Sequence, residues 1–217
     1  MLVLLPPSEG KAEPEAGDPL DLGTLAFADE LGDRREEVLD AFDPGLRKAP
    51  AAPAADVYTG VLFQRLELPE LSAKVRRQVL IFSALWGVVR PDDRIPFYKL
   101  PPKAKLKGVG APAAFWRAAL TEALPDKDGE LIVDMRSGAY ASFWKPKRAK
   151  LLAVRAFTER DGERKAVSHM AKASRGDVAK ALLSAKKAPR DPEGAAAIAE
   201  AAGHRVELTD NSLDVIV

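Results

Sequence analysis

The chain holds 217 residues, 47% of them apolar and 30% charged, with a net charge of +1, two histidines and no cysteine. That composition belongs to a soluble, folded protein with material for one sizeable core, and the missing thiols exclude disulfides, cysteine nucleophiles and zinc–thiolate centres. The near-neutral total conceals a segregation: residues 1–70 carry 15 acids against 6 bases, residues 71–190 carry 26 bases against 11 acids, and residues 191–217 carry 6 acids against one arginine.

Residues 2–5 (LVLL) predict a short buried strand stopped by Pro6-Pro7, and no basic leader precedes it, so a signal peptide is not expected. A loop rich in Pro, Glu and Asp follows. Leu31, Val38, Leu39 and Phe42 recur at helical spacing and predict an amphipathic helix over residues 30–42. Residues 49–55 (APAAPAA) resemble a linker. Asp56-Val57-Tyr58-Thr59-Gly60 leads into a helix carrying Leu62 and Phe63. A second helix is expected over residues 69–78, with Lys74, Arg76 and Arg77 near its C-terminal end, where the helix dipole favours cations.

The apolar run 79–83 predicts a central buried strand. It opens the most informative stretch of the chain, LIFSALWGVVRPDDRIPFYKL over residues 80–100, where charge, aromatic surface and rigid prolines meet as the chain leaves the core. A basic loop follows over residues 101–110, then a helix over 113–124 with Phe115, Trp116, Ala119, Leu120 and Ala123 inward. Residues 131–135 (LIVDM) predict a second buried strand. Asp161-Gly162 between the segments 151–157 and 165–169 is a hairpin signal. A helix over 174–184 is expected to be capped by Ser174, with Asp177 in its first turn. A further helix over 192–202 ends at Gly203, and a hairpin closes the chain. The sum is a mixed α/β (α+β) protein of six to eight strands without a strict βαβ rhythm, expected to form a single domain over 1–217.

Few residues invite metal chemistry. His169 and His204 belong to no ligand spacing, nothing requires a magnesium ion at Asp92 or Asp134, and no cofactor is expected. Ser8-Glu9-Gly10-Lys11 follows the first strand but lacks the spacing of a phosphate loop. It leaves a serine and a lysine at a strand's carboxyl edge, where crevices form in α/β sheets, or else a solvated turn. Arg136 to Tyr140, followed by Phe143, Trp144, Lys145, Lys147 and Arg148, interleaves bases with aromatics, which suits phosphate contact and base stacking or a solvated rim over core aromatics. Residues 171–176 (AKASRG), at an expected helix N-terminus, bring Lys172 and Arg175 to an anion site or a simple cap.

Taken together, LVLLPPSEGK, DVYTG, FSALWGVVRPDDRIPFYKL, AFW, LIVDMRSGAYASFWKPK and SHMAKASRGDVAKALL, in that order, resemble the YaaA family of bacterial peroxide-stress proteins. The resemblance implies a mixed sheet with surrounding helices, a positively charged cleft and a helix-hairpin-helix-like element, for which residues 85–89 are the expected turn. It also implies binding of double-stranded or distorted DNA and a part in iron homeostasis that limits oxidative damage. On this reading Lys99, Lys103, Lys105, Lys107, Lys145, Lys147, Arg148, Lys172 and Arg175 hold phosphates. Tyr58, Trp86, Tyr98 and Tyr140 contact sugars or unstacked bases, and Lys11 and Arg90 join them. The rival is an enzyme acting on a nucleobase or nucleotide-like ligand, with Ser8, Lys11, Arg90, Asp92 and Lys172 as its polar groups. No stretch approaches the roughly 18 apolar residues of a membrane span, and a cytoplasmic monomer is expected.

Overall fold

A computed structural model describes residues 1–160, 163–166 and 169–217. The first half runs β1 (Leu2–Leu5), α1 (Ala28–Phe42), β2 (Ala52–Pro53), α2 (Ala54–Val57), α3 (Val61–Leu66), α4 (Ala73–Arg76), β3 (Val79–Ser83), β4 (Gly87–Val89) and β5 (Arg94–Ile95). The second runs α5 (Pro112–Ala123), β6 (Leu131–Asp134), α6 (Gly138–Ala141), β7 (Lys150–Arg160), β8 (Glu163–Ala166), α7 (His169–Ser184), α8 (Pro192–Ala201), β9 (Arg205–Leu208) and β10 (Ser212–Ile216).

One sheet organises the molecule, in the order β4-β3-β1-β6-β7-β10-β9, with β8 added to the far end of β7. The five inner strands are parallel, and β4, β8 and β9 are antiparallel additions. β1, β3 and β6 are buried along their whole length. Their sequences are therefore unbroken apolar runs rather than alternating ones, as expected for strands covered on both faces. β3 is buried as its sequence predicts, but it lies next to the edge strand β4 instead of at the centre. The middle strand of the order is β6, and β1 beside it pairs with β3 on one side and β6 on the other. The chain order thus reverses at β1, and in open α/β sheets ligands bind beyond the carboxyl ends of the strands at such a reversal.

Several local expectations change. Residues 49–55 are no linker: Ala51 and Ala54 are fully buried, β2 pairs with β5, and α2 follows at once. Alanine and proline here serve close packing. The expected helix over 69–78 is a 3-10 turn (Leu68–Glu70) and the single turn α4, capped by Ser72. Residues 85–89 form no helical hairpin; they turn β3 into β4. Gly87 adopts φ +70, and a Cβ there would lie 2.8 Å from the Trp116 ring. α7 begins at His169, so Ser174 is an interior, buried helix residue rather than a cap, Asp177 lies beyond the first turn, and His169 opens a helix instead of ending a strand. The Asp161-Gly162 signal lies outside the described residues, although β7 and β8 pair antiparallel on either side of it.

One buried charge stitches the first helix to the sheet. Arg35 shares the inner face of α1 with Leu31, Val38 and Leu39. Its guanidinium donates to the carbonyls of Trp86 (3.2 Å), Val88 (2.8 Å) and Ala26 (2.8 Å). Burial pulls its pKa down to about 10, against the opposing pull of Asp93 and Glu30.

Candidate functional site

Beyond the carboxyl ends of β1 and β6 lies a cavity of about 790 Å³. Its walls come from four segments: the loop after β1 (Pro6 to Lys11), the start of α3 (Gly60 to Phe63), the extended stretch Tyr98 to Pro102, and the turn after β6 with Ser137, Gly138 and Tyr140. Ala171, Lys172 and Arg175 of α7 close it. A smaller cavity of about 330 Å³ lies against Tyr98 and Lys99 as well, lined by Glu13, Phe42 and Phe97 among others.

The loop after β1 is held in shape from both sides. Lys11 bridges to Tyr58, the Ala12 N–H donates to the Val57 carbonyl, and the Thr59 N–H donates to that of Gly10. The Ser8 hydroxyl donates to the Gly10 carbonyl and accepts from the Gly60 N–H at 2.7 Å. A Cβ on Gly60 would stand 2.6 Å from Ser8 Oγ, so only glycine allows this approach. That bracing explains why PPSEGK and DVYTG carry their small and turn-forming residues.

The loop aims Lys11 at the cavity. Its Nζ donates to the Ser8 carbonyl at 2.6 Å and lies over two aromatic faces, 4.6 Å from the Tyr98 ring centre and 5.7 Å from that of Tyr58. Among the described residues no carboxylate pairs with it. Burial lowers its pKa to about 8, Glu9 partly opposes this, and Lys99 adds to it. The ring faces favour the charged amine, whereas the loss of water disfavours it and dominates.

Behind Lys11 runs a buried hydroxyl chain. Tyr98 Oη is 2.7 Å from both Tyr58 Oη and Ser83 Oγ, and Ser83 Oγ also accepts from the N–H groups of Leu85 and Trp86. Burial pushes the Tyr98 hydroxyl up to about 12 and raises those of Tyr58 and Tyr140 as well. All three phenols are neutral donors. The turn after β6 is anchored by Arg136, which forms a bidentate pair with Asp134 (2.9 and 2.8 Å) and donates to the Trp144 carbonyl at 2.9 Å. Its guanidinium carbon lies 4.2 Å from the Phe82 ring centre. Arg136 therefore sets the path of the Ser137–Tyr140 turn and does not itself line the cavity.

α7 supplies the remaining cations. Gly176 lets α7 pack on α3, since a Cβ there would stand 2.5 Å from the Leu62 carbonyl. Arg65 clasps Asp177 at 2.7 Å across the same junction. Arg175 is half-buried and donates to the Val154 carbonyl at 2.9 Å, while Lys172 is exposed on the cavity rim.

The structure thus gathers Ser8, Lys11, Tyr98, Lys99, Tyr140, Lys172 and Arg175 around one cavity. Other candidates lie elsewhere. Trp86 is fully buried against Tyr98 and offers no face to a ligand. Tyr58 is likewise buried and reaches the site only as the ring beneath Lys11. Arg90 donates to the Arg77 carbonyl and lies over Phe27, and Asp92 pairs with Arg76 at 2.6 Å; neither lines the cavity. Lys145, Lys147 and Arg148 lie outside it too. The chain has by then crossed back to the opposite edge of the sheet, where Lys150 pairs in register with Leu131 and Arg148 pairs with Asp128. Lys103, Lys105 and Lys107 are exposed on the loop beyond the rim. Sequence reasoning overlooked Glu9 as the acid beside Lys11, and Gly60 and Ser137 as wall residues; the serine and glycine after each of β1 and β6, Ser8-Glu9-Gly10 and Ser137-Gly138, are the signal the two strand-end loops left. No three His, Asp or Glu side chains among the described residues gather to hold a metal ion, and no described helix is long and apolar enough to cross a membrane.

These features define an α/β protein whose parallel strands open, at their reversal point, into a cationic cavity. A family profile described as "Peroxide stress protein YaaA" matches residues 24–207. The chain is 41% identical to a UPF0246 protein of Streptomyces coelicolor, over all of this chain and 98% of that one, and 36% identical to a UPF0246 protein of Corynebacterium efficiens with the same coverage. An uncharacterised protein of Campylobacter jejuni is 36% identical over 67% of this chain and 59% of its own length. The chain belongs to the YaaA (UPF0246) peroxide stress protein family.

Proposed function

We propose that the protein binds DNA during peroxide stress by seating a single unstacked nucleotide in the cavity at the reversal point, and that this binding limits iron-dependent oxidative damage to the strand. The observation that carries the reading is the convergence of Lys11, Lys99, Lys172 and Arg175, drawn from three distant parts of the chain, on one concavity with Tyr98 and Tyr140 in its wall. Cations matched to phosphates and aromatic rings matched to a base are what single-stranded nucleic acid requires. The volume, about 790 Å³, falls in the range of small-molecule pockets. It suits one nucleotide and is far too small for a duplex, so distorted or single-stranded DNA is the preferred form.

The test is fluorescence anisotropy with three oligonucleotides of one sequence: single-stranded, duplex with a central mismatch, and fully paired. The first two should bind more tightly than the third. Lys172→Ala, on the exposed rim, should weaken binding about three- to tenfold and reduce the slope of log affinity against log salt by close to one contact's share, about 0.7 for a single strand. Equal affinity for all three forms, or binding that salt does not weaken, would overturn the reading.

A second reading, an enzyme acting on a nucleotide-like ligand in the same cavity, is favoured by one specific observation: Lys11 sits at the cavity with no carboxylate partner among the described residues, and burial lowers its pKa to about 8. Nucleophilic and basic lysines are made in this way.

A further inference from the structure

We infer that Lys11 is a nucleophile that captures an aldehyde-bearing sugar as an imine, making the cavity a site for ring-opened, abasic deoxyribose in DNA. The inference rests on the nucleotide-binding reading above and goes beyond it by naming a covalent step and the class of substrate.

Geometry supplies the first support. Lys11 Nζ is fixed by one acceptor, the Ser8 carbonyl at 2.6 Å, and its flank is covered by the Tyr98 ring at 4.6 Å. A structural lysine at this depth is ordinarily matched by a carboxylate; among the described residues Lys11 has none. Its neutral form keeps one N–H on Ser8 and leaves the lone pair for the cavity. Protonation supplies the second support. With a pKa of about 8, about a quarter of the amine is neutral near pH 7.5, against roughly one part in a thousand for an ordinary lysine. The surroundings supply the third. Lys172 and Arg175 line the same cavity as holders for a phosphate beside the sugar, and Glu9 lines it as a proton carrier. Radicals formed from peroxide oxidise bases, hydrolysis of the weakened glycosidic bond leaves a C1′ hemiacetal, and this opens to the aldehyde, so the substrate class is one that peroxide stress itself produces.

The step balances without any co-reactant. The neutral amine attacks the C1′ aldehyde, a carbon–nitrogen bond forms, and the carbonyl oxygen takes up a proton as the nitrogen gives one up. The resulting hydroxyl leaves as water with a further proton, giving the protonated imine. Water reverses the sequence and restores Lys11 and the aldehyde.

The experiment incubates the protein with a single-stranded oligonucleotide carrying one abasic site, adds sodium borohydride to reduce any imine to a stable secondary amine, and maps the adduct by mass spectrometry of peptides. Anisotropy with the same oligonucleotide is measured in parallel without borohydride. The expected result is one major adduct on Lys11, absent with the tetrahydrofuran analogue that has no aldehyde. Lys11→Arg should lower it at least tenfold when both proteins are saturated with the oligonucleotide. An adduct on Lys99 or Lys172 instead of Lys11, or no adduct while the oligonucleotide still binds, overturns the inference and leaves the binding reading standing. Absence of both binding and adduct overturns the two together. Because the mapping is done on the unaltered chain, it decides the matter even if Lys11→Arg folds poorly.

Discussion

The loops that leave β1 and β6 each carry a cation inward at the same edge of the sheet, and they treat it in opposite ways. Arg136 meets Asp134 in a bidentate pair, two backbone carbonyls and the face of Phe82, so nearly every donor it owns is used inside the protein. Lys11 meets one carbonyl and two rings, and its charge is left unmatched beside a cavity. A matched buried charge fixes structure. An unmatched one is a standing cost that only a ligand, or a function needing the neutral amine, repays.

Removing a member of each set should separate them. Asp134→Ala strands the Arg136 guanidinium in the interior and should cost roughly 3–5 kcal/mol, the penalty of an orphaned buried charge; urea unfolding measures it, and a loss below 1 kcal/mol would show that the pair is dispensable. Lys11→Met should cost almost nothing or even stabilise near neutral pH, because it removes a desolvated charge and keeps the apolar stem. Its pH signature is sharper. The Lys11 pKa is depressed to about 8 in the folded chain from an ordinary 10.5, so between these values the unfolded chain binds more protons and stability should rise with pH. That contribution is fully present above the unfolded value and is lost as pH falls through about 8. The groups facing Lys11 are Glu9, Lys99, Tyr58 and Tyr98, and Tyr140, Lys172 and Arg175 line the same cavity. Since Tyr98 is pushed up to about 12 and works in the other direction above pH 10, the clean window is pH 8–10. The difference between wild type and Lys11→Met should climb there and nowhere below; a flat difference would mean that Lys11 is solvated.

A smaller effect sharpens the same contrast. Tyr98→Phe removes the middle of the Ser83–Tyr98–Tyr58 chain and leaves the buried Tyr58 hydroxyl without that partner, at a cost of about 1–2 kcal/mol. The loss of this brace should also loosen the wall on which Lys11 rests, which the capture experiment reads as a lower yield of adduct.

Much of this edge was legible in the amino-acid sequence, and what was not has a physical cause. The unbroken runs LVLL, VLIFS and LIVD announced strands buried on both faces, and the polar residues after the first and third marked the site edge. The family pattern tied these pieces together and matched the comparison over residues 24–207. Burial partners were invisible. Nothing local says that Trp86 turns inward against Tyr98, that Arg35 shares a helix face with leucines, or that Arg90 reaches back to the Arg77 carbonyl. A count of bases along the chain also cannot tell which edge of a sheet each one reaches, and the residues 145–148 cross to the other edge within a few positions.

That last point yields the smallest predicted effect and the strictest test of location. Arg148 pairs with Asp128 in the open, and the Asp126 carboxylate accepts from the N–H groups of Lys147, Arg148 and Ala149. The Arg148 side chain is thus part of a solvated clasp on the edge away from the cavity. Arg148→Ala should leave the unfolding midpoint essentially unchanged, as expected for a solvent-screened exposed pair, and should leave oligonucleotide affinity within twofold. Lys172→Ala removes the same formal charge and should weaken binding several times more. If the two variants weaken binding equally, net charge alone attracts the strand, and the cavity edge holds no privilege over the rest of the surface.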